Sequence, residues 1–373
     1  MTAEETSIQS HFGKIKDPRI ERSKRHNLID IIVIAVCAII CGADGWESME
    51  VYGLAKQEWL ETMLELPNGI PSPDTFRRVF ERIKPEAFSQ CFVKWTQALF
   101  EESQGDIIPI DGKTVRRSHD KSQGKAAIHM VSAWSTENQM VLGQVKTSEK
   151  SNEITAIPEL LDMIEIVGGI VTIDAMGCQK NIASKIISKQ ADYVLAVKGN
   201  QGRLLEDITP YFEGVTAKKS TGYDYYQTIE KGHGRIEKRR FWTYSDMAWL
   251  KEQHPEWKQL TCIGCVESKR SVGQKTSTER RYYIGSIPAD AKQLAKATRA
   301  HWGIENSLHW VLDVTFREDD SRIHSKHAPE NLATLRHVVI NLVRQETSLK
   351  RGAPQKRLKA ACDNRYLEKI LAS

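Results

Sequence analysis

Two aspartates stand where short apolar runs stop. In 107-IIPIDGKTVRRS-118 the run ends on Asp111, followed by Gly112 and Lys113. In the stretch 168–187, Val171, Thr172 and Ile173 form a β-branched run that ends on Asp174; a turn at Ala175–Gly177 leads into helical spacing through Ile182, Ile186 and Ile187. Each reads as a buried strand delivering a carboxylate to its end, which is where open α/β sheets place their chemistry. A single Asp in such a place is commonly a turn or capping residue. Two of them suggest carboxylates converging on a metal, and a third acid on a suitable helix would decide it. Glu305 is that candidate: His301, Glu305 and His309 fall at i, i+4, i+8 of a helical run beside Trp302 and Leu308. A carboxylate buried there costs several kcal/mol unless paired or metal-bound.

The elements around these acids follow from periodicity. Residues 106–215 read as strand, hairpin, helix, strand, helix, strand, helix, with the hairpin turning at Thr136–Gln139 and strands near 107–111, 170–174 and 191–200. Three strands followed by alternating helix and strand is the order of a ribonuclease-H-like sheet. Residues 216–288 break the alternation with β-rich runs and read as a β insertion. A long helix then spans about 290–312 and another begins near Pro329. Residues 1–100 read as all-helical, from a core helix at 28–41 to a helix opened by Ser72 and Pro73, whose Arg77, Arg78, Arg82 and Lys84 lie on or near its outer face and resemble the second helix of a helix-turn-helix. The fold predicted is α/β: a helical domain over 1–100, possible seat of DNA contact, a ribonuclease-H-like catalytic domain over 101–347, and a tail over 348–373.

Composition narrows the class. With 373 residues, 40% of them hydrophobic and 27% charged, the chain has ordinary globular make-up with room for two or three domains. A formal charge of +5 fits a nucleic-acid partner without requiring one. Seven scattered cysteines read as reduced thiols; Cys262 and Cys265 have zinc-ligand spacing but no second pair, inside a strand-like run. The apolar run 28–42 is short for a membrane span and contains Asp30. No apolar leader is visible at the N-terminus, and the prediction is a cytoplasmic protein without a membrane partner.

The motifs IDGKTVRRSHD (110–120), TIDAMGCQ (172–179), YVLAVKGNQ (193–201), KGHGRIEKR (231–239) and HWGIENSLHWVLDVTFREDDSR (301–322) carry a resemblance to a known family. The chain resembles the DDE transposases of bacterial insertion sequences, in particular their H-repeat-associated, ISAs-type group, over nearly its whole length. The resemblance implies Asp111, Asp174 and Glu305 as catalytic residues and as the ligands of Mg²⁺, with Mn²⁺ able to substitute. Two such ions roughly 3.5–4 Å apart can activate an oxygen nucleophile and stabilise the leaving oxygen. Asp111 would bridge both and no His or Cys ligand is called for. Where related enzymes place Arg four residues before the Glu, this chain has His301. Lys113, Arg116, Arg117, Lys198, Asn200, Gln201, His233, Arg235, His301 and Arg322 form the expected DNA grip. The partners implied are double-stranded DNA, at element ends and target, and a second copy in a homodimer or higher oligomer, with the protein associated with the nucleoid. The function implied is cleavage at mobile-element ends and strand transfer. Two alternatives stay open: a ribonuclease-H-like nuclease or junction resolvase without strand transfer, and a catalytically silent DNA-binding remnant.

Overall fold

The computed structural model describes residues 7–100, 104–119, 124–147, 153–214, 222–232 and 234–373. Strands β1 (Ile107–Thr114), β2 (His129–Ser135) and β3 (Met140–Thr147) form an antiparallel meander. Helix α7 (Glu153–Met163) crosses to β4 (Ile170–Ile173), which lies parallel to β1, and α8 (Lys180–Ser188) crosses to β5 (Asp192–Val197), parallel to β4. All four residues of β4 are buried. That is why its sequence is a continuous β-branched run rather than an alternation of apolar and charged residues: a strand with parallel neighbours and both faces covered has no wet side.

After α9 (Gly202–Phe212) come β6 (Tyr223–Gly232), β7 (Arg235–Tyr244), the short helix α10 (Ala248–Gln253), β8 (Cys262–Val272) and β9 (Lys275–Gly285). The β-rich run expected over 216–288 is present, and it adds to the main sheet. Strand β9 pairs antiparallel with β5, giving one mixed sheet in the order β3-β2-β1-β4-β5-β9-β8-β7-β6. Helix α11 (Ala291–Ile304) packs on β1, β4 and β5 and on the insertion strands β6 and β7.

The amino-terminal segment is helical: α1 (Ile8–Phe12), α2 (Leu28–Ile40), α3 (Trp46–Ala55), α4 (Gln57–Leu60), α5 (Pro73–Phe80) and α6 (Pro85–Leu99). Every residue of α2 from Asp30 to Ile40 is buried, and the Asp30 carboxylate is satisfied by the Leu66 N–H at 3.2 Å. Its apolar run is therefore a core helix, and no helix among the described residues is long and apolar enough to cross a membrane. Helix α12 (Ala328–Gln345) runs between α2, α6 and β3, and α13 (Ala353–Cys362) and α14 (Asn364–Leu371) join the same apolar cluster. On α5 the outer arginines are partly committed: Arg77 pairs with Asp74 and Glu81, and Arg78 with Asp74.

Candidate active site

The parallel register of β1 and β4 sets Ile110 opposite Ile173. The next residue in each case is an aspartate. Asp174 follows the end of β4, whereas β1 does not stop at Asp111 as expected but runs on to Thr114, with Asp111 paired to Ser132 of β2. The two carboxylates therefore start at the same level on neighbouring strands about 4.8 Å apart in the hydrogen-bonding direction. Local hydrogen bonds fix each carboxylate. Asp111 Oδ1 accepts from the Gly112 N–H at 2.9 Å. Asp174 Oδ1 accepts from Met176 N at 2.9 Å and Gly177 N at 3.3 Å, an Asx turn that ends the strand. The turn is tight because a Cβ on Gly177 would stand 2.2 Å from Ile173 Cγ2.

Glu305 arrives from α11, where the helix widens. Residues Glu305–His309 form a π-helical turn closed by the Trp310 N–H on the Glu305 carbonyl, and Val311–Thr315 repeats the pattern. Single π turns of this kind gather at functional sites. Asp111, Glu305 and His309 each offer one ligand atom, and the three atoms lie within 4.8 Å of one another. His309 Nδ1 stands 3.6 Å from Asp111 Oδ2. The grouping includes a histidine, where carboxylates alone were expected. Asp174 is outside that mutual set, yet its charge reaches Asp111. Burial, together with the charges of Asp174, Glu153 and Glu305, pushes Asp111 up to about 7 against the pull of the Gly112 N–H. Burial, helped by the Lys113 charge, pulls His309 down to about 4, so its ring is neutral at neutral pH.

The basic and polar residues predicted to grip DNA divide into groups. Arg116, Arg117, Lys198, Arg235 and Arg322 are exposed. Arg116 meets Asp319 at 3.2 Å, Arg117 meets Asp320 at 3.6 Å and Arg235 meets Glu237 at 3.3 Å. Asn200 and Gln201 point their amides inward: Asn200 donates to the Ala175 carbonyl at 2.6 Å and Gln201 to that of Cys178 at 2.9 Å, bracing the turn that carries Asp174. His301 is inward too, its Nδ1 3.3 Å from Thr172 Oγ1 on β4. The Lys113 ammonium faces Asp313, Glu318 and Asp319 at 2.7, 3.0 and 3.4 Å and is nearly buried. His233 lies outside the described residues. Beside Asp174, a small cleft is lined by Thr172, Lys198, Arg281, His301 and the exposed Trp302, over whose ring the Arg281 guanidinium sits at 4.5 Å.

One cluster was missed in the sequence. His129 Nε2 and Glu153 Oε1 are 2.6 Å apart, both buried, and His129 Nδ1 is 2.8 Å from Thr114 Oγ1. The pair lies against Gly112, where an added Cβ would stand 2.3 Å from His129 Nε2 and 2.4 Å from Glu153 Oε1. His and Glu lie 24 residues apart in different elements, so spacing carries no sign of them. Gly112→Ala must move this pair or β1 itself, at a cost of about 1–3 kcal/mol. A lowered urea midpoint is the expected reading; an unchanged midpoint would mean that the pair has room to retreat.

Residues 9–96 match the family model described as DDE_Tnp_1-associated, and residues 102–342 match the one described as Transposase DDE domain. "Putative transposase YncI" of Escherichia coli O157:H7 is 45% identical over 98% of this chain and 95% of its own length. "H repeat-associated putative transposase YhhI" of Escherichia coli K12 is 42% identical over 98% of this chain and 97% of its own. Among solved structures, a piggyBac transposase synaptic complex with hairpin DNA matches with a TM-score of 0.43 at 10% identity, covering 99% of this chain and 76% of that one.

Proposed function

This chain belongs to the DDE transposase family, its H-repeat-associated relatives matching it from end to end, and from that premise we propose that it cuts DNA at the ends of its own mobile element and joins them to target DNA. The observation that carries the reading is the level pair Asp111 and Asp174 on adjacent parallel strands, met by Glu305 from α11. The strand order β3-β2-β1-β4-β5 with two parallel crossovers supports a ribonuclease-H-like description of the catalytic part, within residues 101–347 and with the insertion strands joined at its edge. Residues 1–100 form the helical domain before it in this reading.

The donor set fits a hard divalent cation. Carboxylate oxygens are what Mg²⁺ prefers, and burial, with the charges of Asp174, Glu153 and Glu305 added to it, pushes Asp111 up to about 7, a strain that a bound cation would relieve. Asp111, Asp174 and Glu305 would hold the metal. Bound Mg²⁺ or Mn²⁺ supplies activation of an oxygen nucleophile and stabilisation of the leaving oxygen. The chain's own residues do the positioning. Met176 and Gly177 N–H groups aim Asp174, and Asn200 and Gln201 hold that turn in place.

Exposed Arg116, Arg117, Lys198, Arg235 and Arg322 would meet DNA phosphates, and the insertion sheet adds a second group. Lys238 on β7 is directly opposite Lys269 on β8, with Lys231 on β6 on the same face. Like charges in register across a sheet destabilise it, and among the described residues no ion pair joins these three to a carboxylate. A phosphate backbone removes the repulsion. Changing all three to Gln is expected to lower the slope of log affinity against log salt by roughly 2–3, read by fluorescence anisotropy on duplex DNA. An unchanged slope would take this face out of the DNA interface.

The protein works on chromosomal DNA in the cytoplasm in this reading, as a homodimer or larger assembly, since two element ends are handled together. The test is incubation with duplexes carrying the element's ends and a target plasmid in Mg²⁺ or Mn²⁺. End cleavage with joined products supports it. Cleavage without joining would make the protein a nuclease, and binding with no cleavage in either metal a silent remnant.

A further inference from the structure

We propose that the His309 imidazole is itself a ligand of the divalent ion held by Asp111 and Glu305, and that it biases this position toward Mn²⁺ over Mg²⁺. The inference rests on the metal-dependent reading above and adds a nitrogen donor to an all-carboxylate set.

Three observations carry it. The ligand atoms of Asp111, Glu305 and His309 are mutually within 4.8 Å, a spread that one coordination shell accommodates. His309 is only 7% exposed, and its Nε2 has no hydrogen-bond partner. Its Nδ1 is 3.6 Å from Asp111 Oδ2, beyond hydrogen-bond length, so that contact does not satisfy the ring either. Buried polar atoms are nearly always paired, and a cation held by the two carboxylates would give Nδ1, the nitrogen that faces Asp111, the partner that Asp111 itself stands too far away to be. The π turn Glu305–His309 supplies the placement, keeping the two side chains, four residues apart, on the side of the helix that meets β1.

The chemistry of the donor sets the preference. Mg²⁺ takes oxygen ligands in a strict octahedron and keeps several waters. Mn²⁺ shares the taste of Mg²⁺ for oxygen but opens the first-row series, whose members take imidazole nitrogen with rising affinity. A site with one nitrogen therefore gains more from Mn²⁺ than a site with oxygens alone. Of the other histidines around the acids, His129 is engaged at both ring nitrogens by Glu153 and Thr114, and the Nδ1 of His301 is turned to Thr172.

The deciding experiment is pulsed EPR of Mn²⁺ added to the full chain, without DNA. Wild type is expected to show ¹⁴N modulation from one directly bound imidazole, replaced by the ¹⁵N pattern when the histidines are ¹⁵N-labelled, a readout that needs no variant to fold. His309→Gln is expected to keep bound Mn²⁺, lose the nitrogen coupling and bind Mn²⁺ about tenfold more weakly, with Mg²⁺ affinity changed by less than about twofold. Bound Mn²⁺ without nitrogen coupling in wild type would overturn the proposal and leave the carboxylate site standing. Coupling that survives in His309→Gln but vanishes in His301→Gln would overturn it as well. Mn²⁺ bound equally by Asp111→Asn and Glu305→Gln would place the metal elsewhere and bring down both this inference and the reading it rests on.

Discussion

Asp174→Asn is expected to reduce end cleavage by about 10³-fold or more while leaving DNA affinity within about twofold. The size follows from the role: a metal ligand helps deliver several kcal/mol of transition-state charge stabilisation, and each 1.36 kcal/mol is tenfold in rate. Affinity is spared because binding is carried by basic residues elsewhere on the surface. Asn also keeps the side-chain oxygen that caps Met176 and Gly177, so the turn should hold. Glu305→Gln should behave alike. Cleavage in Mg²⁺ that persists in either variant would refute the triad.

Asp111→Asn separates function from stability within the same site. The Asp111 pKa is raised in the folded chain to about 7, against about 3.9 in an unfolded one. Between those values the folded state binds a proton that the unfolded state does not, so this group's contribution to stability is full below about pH 4 and is lost as pH rises through 7. The wild-type protein without metal therefore carries a penalty at pH 8 on the order of 4 kcal/mol, and Asn removes it. The expected result is a variant that cannot cleave yet melts higher than wild type in EDTA at pH 8, with the gap closing toward pH 4. A gap independent of pH would mean that Asp111 is not protonated in the metal-free fold.

What the sequence revealed and what it hid divide along the lines of range. The two aspartates were legible because a short β-branched run and the Asx turn after Asp174 are local events, and the helical spacing of His301, Glu305 and His309 is local too. The pairing of β9 with β5 was not legible, since β-rich residues at 275–285 show that a strand exists and not which edge it joins. Residues 348–373, read as a tail, form two helices docked through Tyr366, Leu367 and Ile370 into the amino-terminal cluster. Asn200, Gln201 and His301 were expected in the DNA grip; their side chains also meet the backbone carbonyls of Ala175 and Cys178 and the Thr172 hydroxyl, contacts that spacing does not reveal. The π turn leaves no mark in the periodicity.

Lys113 is the sharpest instance, and it yields the largest stability prediction. In the run KTVRRS it reads as one more cation beside the site, but the acids that claim it are some 200 residues away in Asp313, Glu318 and Asp319. Glu318 is 2% exposed and is shared with Arg336 on α12 at 3.4 Å. Burial alone would raise its pKa, yet the Lys113 and Arg336 charges outweigh that and hold it below the usual carboxylate range. Lys113 is raised in turn, burial being outweighed by Glu318 and Asp313. Both members thus stay charged: Glu318's contribution is lost only as pH falls through its depressed value, and Lys113's only as pH rises through its raised one, so the network is intact across neutral pH. Lys113→Met leaves the buried Glu318 with Arg336 as its remaining ion-pair partner, at 3.4 Å, and leaves Asp313 without its cation, a change that costs about 3–5 kcal/mol. The double variant Lys113→Met/Glu318→Gln removes the stranded charge and is expected to recover at least half of that loss in urea unfolding at pH 7. Because Lys113 lies two residues beyond Asp111 and its partners follow directly after the turn that carries Glu305, the cluster ties the strand of one acid to the helix of another. The double variant, stable but untied, should therefore cleave more slowly than wild type. Full cleavage in a stable double variant would reduce the cluster to a packing feature, and an equal loss of stability in single and double variants would show that the stranded carboxylate is not what the single change exposes.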